Sequence, residues 1–199
     1  MGQYPIFAIT LVAMFKTRVR SSIIDCNLFL KDMAKSDSFF IRASTSFNGT
    51  TFEQTAIDLG AYVDALGKSV LRIHNIAVQW GTPLNDLTPS TGTEVNCFQL
   101  TTQSQTTMVD ATDKSVIASG KLHTCAGNVG VTTPWFSESL DVSPQHWTAG
   151  YLVGVEQIYL GVDSTDASAE SMDQCAIVLE CTVETLSQSA AMALALSQQ

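Results

Sequence analysis

The stretch Cys175-Ala-Ile-Val-Leu-Glu-Cys-Thr-Val-Glu184 decides the fold class. Its odd positions, Cys175, Ile177, Leu179, Cys181 and Val183, are apolar without interruption. Its even positions run Ala176, Val178, Glu180, Thr182, Glu184 and turn polar toward the end. A side-chain period of two with one continuous apolar face is the pattern of a strand laid against a core. Such a strand is expected to be paired on both sides or buried on one face. Cys175 and Cys181 then face the same side about 20 Å apart, too far to bridge each other.

Working outward, residues 70–80 form the next clearest strand. Leu71 and Ile73 share one phase, whereas Ile76, Val78 and Trp80 share the other. The phase change at His74-Asn75 predicts a β-bulge, whose extra residue returns the apolar set to the core side. Residues 55–63, 95–103, 106–110, 115–124 and 151–162 are further strand candidates, rich in Thr, Val, Ile and aromatic residues. Between them stand Asn48-Gly49, Gly81-Thr82-Pro83, Ser90-Thr91-Gly92, Ala126-Gly127-Asn128 and Ser143-Pro144, where the chain must reverse. About eight short strands so punctuated predict an all-β antiparallel two-sheet sandwich. No repeat of propeller or solenoid length is visible.

Two stretches carry helical spacing. Leu59, Tyr62, Val63 and Leu66 stand at i, i+3, i+4 and i+7, so residues 58–66 suit either a helix or a strand ending at Val63. Residues 187–199 predict a short C-terminal helix, with Ser187 and Ser189 as caps before Ala190-Ala-Met-Ala-Leu-Ala-Leu196. That tail is apolar nearly all round and needs a covering surface. Met192, Leu194 and Leu196 are its candidate subunit contacts.

The 199 residues are 45% hydrophobic and only 15% charged, against about 25% charged for an average globular domain. The net charge of −9 is unevenly spread: the chain up to Arg42 carries +3 and the remainder −12. An acidic body repels phosphate backbones, so nucleic-acid contact is confined to an N-terminal arm through Lys16, Arg18 and Arg20. That arm, residues 1–37, precedes a sandwich over 38–186 and the tail over 187–199. It contains the apolar run from Tyr4 to Phe15, too short for a span of about 20 residues but able to lie on a membrane surface. Charges follow this run rather than precede it, unlike a secretory signal. The change of character at Met33 also suits a natural start there, with residues 1–32 as an over-called extension dispensable for folding.

Catalytic signatures are missing: the sequence has no GxSxG elbow, no glycine-rich phosphate loop and no HExxH helix. It reads as a non-enzyme without cofactor or resident metal. Five cysteines without CxxC spacing fit neither a zinc knuckle nor a complete disulfide framework and read as buried free thiols. His123 and Cys125 share one side of a strand, as a satisfied histidine beside a thiol. Asp163, Asp166, Glu170 and Asp173 read as a solvated connection, with weak Ca²⁺ binding as the alternative. Trp135 and Trp147 are expected in the core. Exposed on loops, they would instead form with Phe136 a sugar-stacking or subunit-contact surface.

The Thr/Ser/Gln-rich run of short strands, the Trp- and Pro-bearing segment, and Tyr151-Leu-Val-Gly-Val-Glu-Gln-Ile-Tyr-Leu160 before Ile177-Val-Leu-Glu-Cys-Thr-Val-Glu184 resemble a single jelly-roll viral capsid protein. The resemblance spans residues 38–186. It implies a jelly-roll sandwich in the virion whose partners are copies of itself and a second capsid protein. Capsid proteins of small single-stranded genomes carry a strongly basic arm. This chain's three arm cations suit a shell whose genome is enclosed by another layer. The rival reading is a β-sandwich that binds carbohydrate or a host surface.

Overall fold

The computed structural model describes residues 35–64, 67–83, 93–125, 135–165 and 174–199. The arm with its apolar run, the turns at 90–92 and 126–128, and Asp166, Glu170 and Asp173 lie outside the described residues. The described elements are β1 (Phe39–Ser46), β2 (Glu53–Asp58), β3 (Ser69–Trp80), β4 (Thr93–Thr101), β5 (Val116–Cys125) and β6 (Trp135–Val142). A 3₁₀ turn (Pro144–His146), β7 (Tyr151–Val153), β8 (Gln157–Ser164), β9 (Gln174–Thr185) and the helix α1 (Gln188–Ser197) follow.

The strands form two antiparallel sheets, ordered β1-β9-β3-β7 and β2-β8-β4-β5-β6. The pairs β1 with β9, β2 with β8, β3 with β7 and β4 with β5 are those of a long hairpin rolled on itself. Further pairs of β3 with β9 and β4 with β8 join the coils into sheets. This is jelly-roll winding, with β6 added beyond β5.

β9 behaves as its alternation demands. It is paired with β1 on one side and β3 on the other, and Cys175, Ile177, Leu179 and Cys181 are buried. They meet Phe98, Leu100, Ile158 and Leu160 from the facing sheet in one continuous core. The bulge in β3 lies between Ile73 and Asn75. It lets Ile73 and Ile76, three apart and out of phase for a regular strand, both enter the core.

Four expectations are corrected. β2 stops at Asp58, whose carboxylate accepts the Gly60 N–H at 2.8 Å; Tyr62 and Val63 then both donate to the Leu59 carbonyl. Residues 58–66 are therefore neither a helix nor a strand to Val63 but a single turn that drives Leu59 and Val63 into the core. Residues 106–110 form no strand: the Gln99 side chain clamps the chain there, donating to the Val109 carbonyl at 2.7 Å and accepting its N–H at 3.0 Å. Residues 151–162 are two strands in different sheets, parted at Gly154. The Trp-bearing segment expected as a loop is the edge strand β6.

The C-terminal helix forms where the cap predicts, with the Ala190 N–H donating to Ser187 Oγ. It docks on its own sandwich through buried Ala191 and Ala195. The Gln198 side chain accepts the Gly154 N–H at 2.8 Å and donates to the Leu152 carbonyl at 2.7 Å. Its main-chain carbonyl accepts from Thr102 Oγ1 at 2.8 Å. Gln198 thus satisfies the backbone exposed where β7 gives way to β8.

Candidate interaction surfaces

β6 has a partner on one side only, β5, with Cys125 opposite Trp135 and Thr124 opposite Phe136. Alternation along a strand turns these two aromatics to opposite faces. Trp135 is 48% exposed and Phe136 79%, which corrects the core expectation for Trp135. Trp147 follows the 3₁₀ turn and is 55% exposed, correcting the second core expectation. The turn itself is tied to the bulge strand. The Gln145 amide accepts the Ile76 N–H and donates to the Ile76 carbonyl, both at 3.2 Å. Gly150 closes the same connection at φ +64°, and a Cβ there would lie 2.4 Å from the Ile73 carbonyl oxygen, so only glycine fits.

Of the three tail residues, Leu194 is half-buried beside Gly154, whereas Met192 and Leu196 are 43% and 69% exposed. Phe40 on β1 is also exposed, with the Arg42 guanidinium over its ring at 5.8 Å. The described ring pairs, Phe39–Tyr62, Phe47–Trp80 and Trp80–Phe98, include none of Trp135, Phe136 and Trp147. The exposed large apolar side chains therefore stand on separate elements, and the two on β6 face opposite ways.

The outer side of the first sheet carries a charged cluster that the sequence reading did not single out. Arg72 on β3 binds Glu184 on β9 through two bonds of 2.6 and 2.7 Å and also donates to the Ala149 carbonyl. Arg72 stands directly opposite Thr182, one register step from Glu184. The hydrogen bond from Arg72 is the largest influence on Glu184 and holds its carboxyl below the usual range. His74 sits at the bulge, 2.9 Å from Thr182 Oγ1. Burial, then the charges of Lys35 and Arg72, lower its pKa from 6.5, outweighing Glu180 and Glu184.

Both shifts make the domain acid-sensitive. The unfolded chain takes up a proton on His74 near pH 6.5 before the folded chain does, and on Glu184 near 4.5, so each step downward in pH favours unfolding. Thermal melts should show stability falling from about pH 7.5 to about pH 5.5, with His74→Gln flattening this limb and leaving the carboxylate limb at lower pH. An unchanged slope in the variant would remove His74 from the account.

On the outer face of the second sheet, a cavity of about 510 Å³ is lined by Cys97, Gln99, Val109, Lys121 and Asp141, among others. Lys121 and Asp141 are 3.6 Å apart and both solvent-accessible. Burial pushes the Cys97 thiol up, and those of Cys175 and Cys181 up to about 12. These sulfurs are protonated at neutral pH and are poor nucleophiles. The described cysteines are free: Cys175 and Cys181 are buried, Cys97 and Cys125 only half-buried. His123 and Cys125 share the outer face of β5, with His123 opposite Val95 and Ser137. Asp163 ends in its own turn, accepting the Ser164 N–H. Among the described residues no group of three His, Cys, Asp or Glu gathers to hold a metal, and no helix is long and apolar enough to cross a membrane.

No protein-family model matches the chain, and no curated protein matches it. Among solved structures it is similar to a chain of Desmodium yellow mottle tymovirus, at 13% identity over 77% of this chain and 87% of that one, with a TM-score of 0.33. It is also similar to a chain of the infectious bursal disease virus VP2 subviral particle, at 12% identity over 79% of this chain and 35% of that one, with a TM-score of 0.24. Both are viral chains, and the resemblance is diffuse.

Proposed function

We propose that the chain is a structural capsid subunit that self-associates into a viral shell and resides in the virion. The observation that carries this reading is the dispersal of its exposed apolar side chains. Phe40, Trp135, Phe136, Trp147, Met192 and Leu196 stand on the edge strands β1 and β6, the 3₁₀ turn's exit and α1. A sugar-binding sandwich needs its rings on one face, whereas a shell subunit meets neighbours on several sides at once. Contiguous apolar surface on a soluble chain marks association.

Charge supports the same reading. Residues 35–199 carry a net −11, so copies repel one another over most of their surface. From Thr185 to Gln199 there is no charged side chain. Copies can therefore approach through α1, where Met192 and Leu196 project one turn apart. Interface centres are depleted of charge in this way. The partners are copies of itself and a second capsid protein, and the acidic sandwich leaves nucleic-acid contact to the arm.

The test separates association from folding. Met192→Glu with Leu196→Glu should abolish large assemblies in light scattering while changing monomer stability by no more than about 0.5 kcal/mol, since both side chains face solvent. Assemblies of unchanged size would remove α1 from the subunit interface. Deleting residues 186–199 is the poorer test, because it strips Gly154 and Leu152 of their Gln198 hydrogen bonds.

A further inference from the structure

One end of the sandwich interior is polar where a core should be apolar. Along β4 the inward side chains are Glu94, Asn96, Phe98 and Leu100, all buried, so a hydrophobic face changes to a carboxylate and an amide at the start of the strand. Thr124, the penultimate residue of β5, lies directly opposite Glu94, and Ser164, the last residue of β8, lies directly opposite Asn96. All four are at least nine-tenths buried. Directly opposed residues have Cβ atoms about 5 Å apart, which gathers the four side chains into one cluster.

The hydrogen bonds within it fix the orientation of the amide. Asn96 Nδ2 donates to Glu94 Oε1 at 2.7 Å, and Ser164 Oγ lies 3.3 Å from the same oxygen. With its nitrogen committed to the carboxylate, Asn96 presents Oδ1 elsewhere, and that oxygen has no hydrogen-bond partner. Thr124 Oγ1 has none either. Two buried oxygens without partners flanking one buried carboxylate need an explanation, because each costs about 1–3 kcal/mol if left bare.

We propose that this end of the sandwich binds a calcium ion through Glu94, Asn96 Oδ1, Thr124 Oγ1 and Ser164. Every donor is a hard oxygen. The sulfurs of Cys97 and Cys125 belong to the opposite face of the same strands, which disfavours zinc. Calcium accepts mixed carboxylate, amide and hydroxyl oxygens in a flexible shell and completes it with water. Magnesium demands a regular octahedron that side chains on two pleated strands do not supply. A single carboxylate places the affinity at the weak end of calcium sites, with Kd of about 10⁻⁴ to 10⁻³ M. The cluster lies within two residues of the ends of β4, β5 and β8, so the ion would tie three strand ends together. This site stands independently of the shell reading.

The test uses the full chain, titrated calorimetrically with CaCl₂ and separately with MgCl₂. Wild type should bind one Ca²⁺ in that range and melt about 2–5 °C higher in about 10 mM CaCl₂ than in EDTA, with a smaller response to Mg²⁺. Thr124→Val keeps the shape and removes the oxygen. It should weaken Ca²⁺ binding at least about tenfold while melting in EDTA no lower than wild type, because an unpaired hydroxyl is replaced by a methyl group. Asn96→Leu should also lose the Ca²⁺ response. Identical melts in Ca²⁺ and EDTA with no binding heat would overturn the proposal in favour of buried water. Undiminished binding in both variants would equally overturn it and locate the ion elsewhere, as in the acidic connection 166–173.

Discussion

Replacing Arg72 by methionine should destabilise the domain by about 3–5 kcal/mol at neutral pH, because it leaves the Glu184 carboxylate buried without its partner. The guanidinium satisfies both carboxylate oxygens and also the Ala149 carbonyl, so three acceptors lose their donor together. The sign of the pH dependence identifies the cause. In wild type Glu184 is held ionised and adds stability that is lost as pH falls below 4.5. In Arg72→Met the bare carboxyl instead has a raised pKa from desolvation, so the deficit against wild type should shrink on acidification. Urea denaturation at neutral and acid pH reads both effects. Arg72→Met with Glu184→Met should recover most of the loss, since an apolar pair can replace a buried ion pair at little cost. Failure of the double variant to recover would mean that Ala149 or the strand geometry, rather than the stranded charge, sets the penalty.

Phe98→Ala should cost a similar amount, about 3–5 kcal/mol, through a cavity in the middle of the sandwich. Phe98 is fully buried on β4 and meets the Trp80 ring edge-on at 5.8 Å, joining the two sheets. Its ring fills the space over Gly120, where a Cβ would lie 2.6 Å from the Phe98 ring and 2.7 Å from the Ser139 carbonyl. Gly120→Ala is therefore also destabilising, and the pair should couple: with Phe98 truncated, the penalty at 120 falls to what the Ser139 carbonyl imposes. Chemical denaturation of the four proteins measures this coupling. Independent, additive effects would contradict the packing described.

What was legible in the sequence follows from burial. β9 and β3 lie between other strands and have long inward faces, so the period of two and the break at His74-Asn75 stand out in the residues themselves. The C-terminal helix was legible through Ser187 and the alanine-rich run that follows. β6 was not: on an edge with both faces largely in solvent, Trp135-Phe-Ser-Glu-Ser-Leu-Asp-Val142 carries no apolar alternation and reads as a loop. β1, Phe39-Phe-Ile-Arg-Ala-Ser-Thr-Ser46, was not separated from the general strand texture for the same reason. The division of residues 151–162 between two sheets depends on Gln198, 44 residues beyond Gly154, a contact no local pattern encodes.

The surfaces were legible in part. Trp135, Phe136 and Trp147 were singled out as residues, but their faces follow from β6 pairing with β5 and from the turn anchored at Ile76. The Arg72–Glu184 pair joins positions 112 residues apart, and Glu94 with Asn96 resembles any polar strand entry until the facing strands bury it. The acidic total hid these local arrangements, which arise only when the roll brings β4, β5 and β8 side by side.

The central claim, that this subunit functions by assembling into a shell, is tested most directly by the mass distribution of the purified full chain. Analytical ultracentrifugation, with electron microscopy of the fastest fraction, should show closed particles of uniform size in equilibrium with subunits. A single monomeric species over the whole concentration range, with no particles in the images, would contradict the account.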